Sequence, residues 1–200
     1  MEAVTDNGRH TGFRSDDARE DDDTSLIAGS NAIVIAGHHL FASGMFAPSS
    51  IVVFAAGRPP YLEAAEPGLC EGDVMSQRWK RLSGGMESEH RILRGNRNTR
   101  DDMDETFALA SSLGVHQIVA VTVEVHVQRV RAFAELAAVQ HPTVAIRVEA
   151  AEPILQKRYG GRPNWIERIG IAASSSAARR TAARERRGLI ALSQGTYHMQ

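Results

Sequence analysis

The apolar run Ile118–Val123 leads directly into four reactive side chains: Thr122, Glu124, His126 and Arg129. A guanidinium can grip a carboxylate or phosphate with two parallel N–H donors, and an imidazole exchanges a proton near neutrality. Grouped together, they suit the binding of an anionic molecule and a proton transfer on it. His126 and Arg129 stand three apart where a helix starts, so they face the same way. The same residues also have a plainer reading. His126 could bond a carbonyl in the first helical turn, and Arg129 could pair with Glu124 or Asp101.

Similar clusters follow other apolar runs. Gly37, His38 and His39 end "NAIVIAG" (31–37) and its sequel, while Gly57 and Arg58 close "SSIVVFAAG" (49–57). Asn98 and Thr99 follow "HRILRG" (90–95). Adjacent histidines diverge on a strand or turn, and no third ligand stands near His38 and His39 in sequence, so no metal is expected there. Cys70 lacks an evident basic neighbour to make it a thiolate.

Buried strands of a parallel sheet are the elements that would deliver these residues. The runs at 31–37, 49–57, 90–95, Ile118–Val123 and 143–149 are short, β-branched and bounded by turn residues. Between them lie amphipathic segments: Glu71 to Leu82, a helix opening at Thr99 with Asp102 three residues on, and "HVQRVRAFAELAAVQ" before Pro142. A further helix is expected around 174–187, followed by the apolar "GLIAL". Such alternation predicts an α/β, three-layer Rossmann-like fold, a mainly parallel sheet of about five strands with helices on both faces. Ligands of such sheets bind beyond the carboxyl ends of the strands, where all these clusters would sit.

The chain has 200 residues, 42% of them hydrophobic, which suits one domain with a real core. Residues 1–25 carry eight Asp/Glu against three Arg and no apolar period, so they read as an acidic leader without order, with a single domain over 26–200. Residues 156–190 hold nine Lys/Arg against two Glu. One cysteine excludes an internal disulfide, and no run is long and apolar enough for a membrane span or signal peptide, so a cytoplasmic location and no membrane partner are expected. G-x-G-x-x-G after the first strand, G-x-x-x-x-G-K-[ST], G-x-S-x-G and H-E-x-x-H are all absent, which counts against the enzyme classes they mark.

Residues 96–136 resemble the YdcF/SanA-like family of bacterial domains of unknown function. That family shows an "S-x-N-T-x-E-N" helix start and, after the next strand, "V-T-S-x-x-H-x-x-R". Asn98, Thr99, Thr122, His126 and Arg129 match these positions. "CEGDVM" (70–75) is similar to the family's acidic helix start and implies a place for Glu71 at the site, and "RERRGLIALSQGTY" resembles its C-terminal helix and strand. Gly37-His38-His39 and Ala56-Gly57-Arg58 replace glycine-rich turns of the family, Val123 replaces a serine, and Asp101-Asp102 replaces Glu-Asn. The resemblance implies a Rossmann-like fold and, from one branch, S-adenosylmethionine as a ligand.

The leading expectation is an enzyme acting on a small anionic or nucleotide-like ligand, with S-adenosylmethionine one such molecule. His126, Arg129 and Glu71 would be catalytic. Gly37, His38, His39, Gly57, Arg58, Asn98, Thr99, Thr122 and Glu124 would line the pocket. A non-catalytic ligand-binding or regulatory protein using the same pocket is the rival. Nucleic acid is not the expected partner; binding through 156–190 is the third and weakest reading, and self-association is left open.

Overall fold

Two parallel strand pairs with helices packed around and between them form the frame of the chain in a computed structural model, which describes residues 2–6, 9–14, 29–47, 49–56, 70–84, 89–160 and 176–196. The elements in order are β1 (Glu2–Asp6), β2 (Arg9–Arg14), α1 (Gly29–Ala42), β3 (Val52–Phe54), α2 (Glu71–Ser83) and β4 (His90–Ile92). Then follow α3 (Thr99–Ser112), β5 (Gln117–Thr122), a single 3-10 turn (Glu124–His126), α4 (Val127–Gln140), β6 (Ala145–Ala150), α5 (Ala151–Tyr159) and α6 (Ser176–Ser193). The protein is therefore α/β with short parallel strands. Among the described residues no helix is long and apolar enough to cross a membrane.

β3 pairs with β4 in parallel, Val52 opposite His90, and β5 pairs with β6 in parallel, Gln117 opposite Ala145 through Thr122 opposite Ala150. No ladder joins the two pairs, so a continuous five-stranded sheet is not seen among the described residues. The cause lies in "NAIVIA", which belongs to helix α1 rather than to a first strand. A short apolar run fits a buried helix as well as a buried strand, and here it extends through "GHHLFA" into fourteen helical residues. Ala32, Ile35 and Ala36, at helical spacing, pack with Ala151 and Leu155 of α5. Val34 turns the other way, into a cluster with Phe54, Met75 and Trp79. A helix apolar on more than one side belongs between layers, and α1 packs against α2, α5 and β5.

The largest core lies under the second strand pair. Phe107 (α3), Phe133 (α4) and Val148 (β6) are buried there with Met103, Val130, Ala134 and Ala137, and Leu192 of α6 packs against them. The register Met103–Phe107–Ala110 and Val130–Phe133/Ala134–Ala137 is the i, i+3/i+4 stripe that the sequence shows. Gly114, at φ 66, ends α3 in the left-handed conformation that glycine adopts without a Cβ penalty. The apolar "GLIAL" continues α6 instead of forming a separate segment.

The acidic leader departs from the sequence reading in part. Glu2–Asp6 and Arg9–Arg14 pair as an antiparallel hairpin, with Glu2 opposite Arg14 and Asp6 opposite Arg9, where no regular structure is expected from composition. Residues 15–28 lie outside the described residues.

Candidate functional site

α3 begins after the six residues 93–98 that follow β4, and its first turn is tightly capped. Asn98, in extended backbone, is the N-cap, one residue before the Thr99 that the sequence suggests. Its Oδ1 accepts the N–H groups of Arg100 (3.0 Å) and Asp101 (3.1 Å). Asn98 therefore spends its acceptor on its own helix. Asp101 in turn accepts the backbone N–H of Arg97 at 3.1 Å.

One turn deeper, Asn96 is 1% exposed and donates its amide to Asp102 Oδ1 at 2.8 Å. Burial, opposed by that hydrogen bond and reinforced by the charges of Glu71, Asp101 and Glu105, pushes the Asp102 carboxyl up to about 7. The Oδ1 of Asn96 is buried without a partner. A protonated Asp102 would present an O–H in this neighbourhood, whereas an ionised one can only accept. Glu71, the first residue of α2, thus bears on the site through its charge. α2 is pinned to the end of β3: Gly72 donates its N–H to the Ala56 carbonyl at 2.7 Å, and a Cβ there would lie 2.7 Å from the Ile92 side chain.

The end of β5 supplies the second half. Thr122 is the last residue of that strand. Glu124 is exposed in the 3-10 turn, and its N–H goes to Glu152 Oε2 at 2.8 Å. Burial raises the Glu152 carboxyl, with hydrogen bonds from its own N–H and that of Glu124 working against the shift. Arg129 donates from Nη2 to Thr99 Oγ1 at 2.9 Å, which ties the starts of α3 and α4 together. Thr99 and Asp102, three apart, share a face of α3, so this contact sets Arg129 on the side of the helix that carries the acid.

The partner of Arg129 is neither Glu124 nor Asp101. Glu185 of α6, only 3% exposed, places Oε2 3.1 Å from Arg129 Nε and 3.1 Å from His126 Nδ1. The separations are those of ion pairs, yet none of these three buried atoms has a hydrogen-bond partner in good geometry. A carboxylate is thus lodged between the imidazole and the guanidinium without the alignment that would make it a strong pair.

The histidine pair lies elsewhere. Gly37, His38 and His39 are in α1, not beyond a strand end. His38 packs edge-on against Trp79 with ring centroids 5.0 Å apart, and His39 Nδ1 is 2.8 Å from Arg158 Nη1. Burial, and then the charge of Arg158, hold both imidazoles below the ordinary histidine range. The strand end expected to carry these three residues is thus the body of a helix. Gly57 and Arg58 lie outside the described residues. Burial and an Asp73 hydrogen bond raise the Cys70 thiol, which suits a packing residue better than a nucleophile. Among the described residues no group of three or more His, Cys, Asp or Glu is placed to hold a metal ion.

Arg129 joins Thr99, Glu71 bears on Asp102 through its charge, and Glu185 joins His126 to Arg129, while Asn98 caps α3, Thr122 ends β5 and Glu124 pairs through its N–H with Glu152. A signal for Glu185 is present in the sequence. Ala178, Ala182, Leu189 and Leu192 lie seven and three residues before it and four and seven after, so the glutamate falls on the apolar stripe of its helix. Asp102 has no such mark, since a carboxylate in a first helical turn is ordinary.

No family model, no curated protein and no solved structure matches the chain.

Proposed function

We propose that the chain is an enzyme acting on a small anionic or nucleotide-like molecule at the ends of β4 and β5. Asp102 exchanges the proton, and His126 with Arg129 receives the anionic group. The observation that carries this reading is the Asp102 carboxyl, pushed up to about 7 beside a buried amide. An acid poised near neutrality can both give and take a proton there, and carboxyls so perturbed cluster at functional sites. The lodging of the Glu185 carboxylate between His126 and Arg129 supports the second part: the pair already accepts an anion of that size. The resemblance to YdcF/SanA-like domains adds S-adenosylmethionine to the ligands worth testing, as a nucleoside bearing a carboxylate.

The test is a thermal-shift titration of the whole chain with inorganic phosphate, AMP, ATP and S-adenosylmethionine, repeated on Arg129→Lys. Lysine keeps the charge facing Glu185 and loses the planar fork, so the fold should hold while the anion is gripped less well. At least one probe should raise the Tm of the parent protein and raise that of Arg129→Lys less. Equal stabilisation of both proteins, or none by any probe, would remove His126 and Arg129 from the site. A stabilising probe that is never turned over, with affinity unchanged in Asp102→Asn, would make the protein a binding module instead.

A further inference from the structure

We propose that the outer face of α6 docks on the phosphate backbone of double-stranded DNA. The observation is the sorting of charge around this helix. Arg179, Arg184, Arg186 and Arg187 are all exposed, and at about 3.6 residues per turn they fall in one sector of roughly 160°. Glu185 is the only acid in α6, and it faces inward onto His126 and Arg129. The one carboxylate of this helix is therefore turned away from Arg184, Arg186 and Arg187 and used elsewhere. No ion pair to Arg184, Arg186 or Arg187 is seen among the described residues.

The chemistry of that face selects the partner. All five basic residues of α6 are arginine, whose planar fork fits phosphate oxygens better than an ammonium does. From Arg179 to Arg187 the helix rises about 12 Å, a length over which duplex DNA presents about seven charges. Single strands are held largely by bases stacked on aromatic rings, and α6 has no aromatic residue. Contacts from arginine to phosphate oxygens carry no sequence information, so binding through them is independent of sequence. A helix can lie along the B-form major groove, about 12 Å wide, but not in the narrow deep groove of duplex RNA. Insertion into a membrane would need the apolar face, and α6 spends that face on the core through Leu192.

Fluorescence anisotropy with a labelled 20-base-pair DNA duplex of arbitrary sequence tests this on the full chain. Three phosphate contacts predict that affinity falls about fortyfold between roughly 50 and 200 mM salt. The triple variant Arg184→Ala/Arg186→Ala/Arg187→Ala should bind at least tenfold more weakly at low salt and show a flatter salt slope. Its Tm should be unchanged, since the three side chains are exposed. Arg91→Ala removes an arginine already paired with Glu89 and should bind like the parent. Parent-like binding by the triple variant, a salt slope near zero, or tighter binding to a duplex RNA, a single strand or phosphatidylserine vesicles would each overturn the proposal.

Discussion

Replacing Asp102 by asparagine isolates the least ordinary group in the structure. The shape is kept, and so is an acceptor for the Asn96 amide, but the ionisation is gone. The folded carboxyl titrates at about 7, against 3.8 for the free side chain. A proton is thus held more tightly in the folded chain than in the unfolded one. Below about pH 4 the group is neutral in both states and contributes nothing. As pH rises from there through 7 the unfolded chain ionises first, so the parent protein loses stability. A shift of this size corresponds to at most about 4 kcal/mol, and solvent reaching a partly exposed carboxyl will reduce it. The assay is urea unfolding of the parent and of Asp102→Asn at several pH values from about 4 to 8, taking the difference at each pH so that other groups cancel. The stability of Asp102→Asn relative to the parent should climb by about 2–4 kcal/mol across that range. A difference that stays flat would mean that Asp102 is an ordinary ionised carboxylate, and the proton-exchanging role would go with it.

Two further outcomes follow from the packing. Arg129→Ala strands the buried Glu185 carboxylate and should cost about 3 kcal/mol in chemical denaturation, with Arg129→Ala/Glu185→Ala recovering part of the loss; an additive double variant would show that the two are not coupled. Gly72→Ala drives a methyl to 2.7 Å from Ile92 and 3.1 Å from the Ala56 carbonyl, and should lower stability by about 1–3 kcal/mol in the same measurement.

The second half of the chain was legible because its signals agree with one another. α3 carries a cap, acids in the first turn, an apolar stripe and a closing glycine, and α4 and the flanking strands follow with equally clear periods. The first half was not, because "NAIVIAG" satisfies two templates. What decides between strand and helix is the surroundings: Ala151 and Leu155 on one side and Trp79 on the other give apolar neighbours to a helix over its length. Composition alone also hid the terminal hairpin, since pairing between Glu2–Asp6 and Arg9–Arg14 is not a property that residue content reports.

The site divides along the same line. Thr99, His126 and Arg129 could be placed from local spacing, since each stands within a turn of a helix start. Their counter-charge could not, because it lies 56 residues beyond Arg129 in a helix that reads as basic. One residue gives that helix two faces. With Glu185 turned inward, α6 supplies the carboxylate that occupies the His126–Arg129 pair and withholds it from Arg184, Arg186 and Arg187 on its outer side. An anion entering the pair must compete with Glu185 for the same two nitrogens, so any ligand bound there displaces a side chain that belongs to the arginine helix. Anion affinity at the pair should therefore rise in Glu185→Gln, which keeps the volume and removes the competing charge. A fall in phosphate affinity in that variant would mean that Glu185 orients the pair for its ligand rather than standing in the ligand's place.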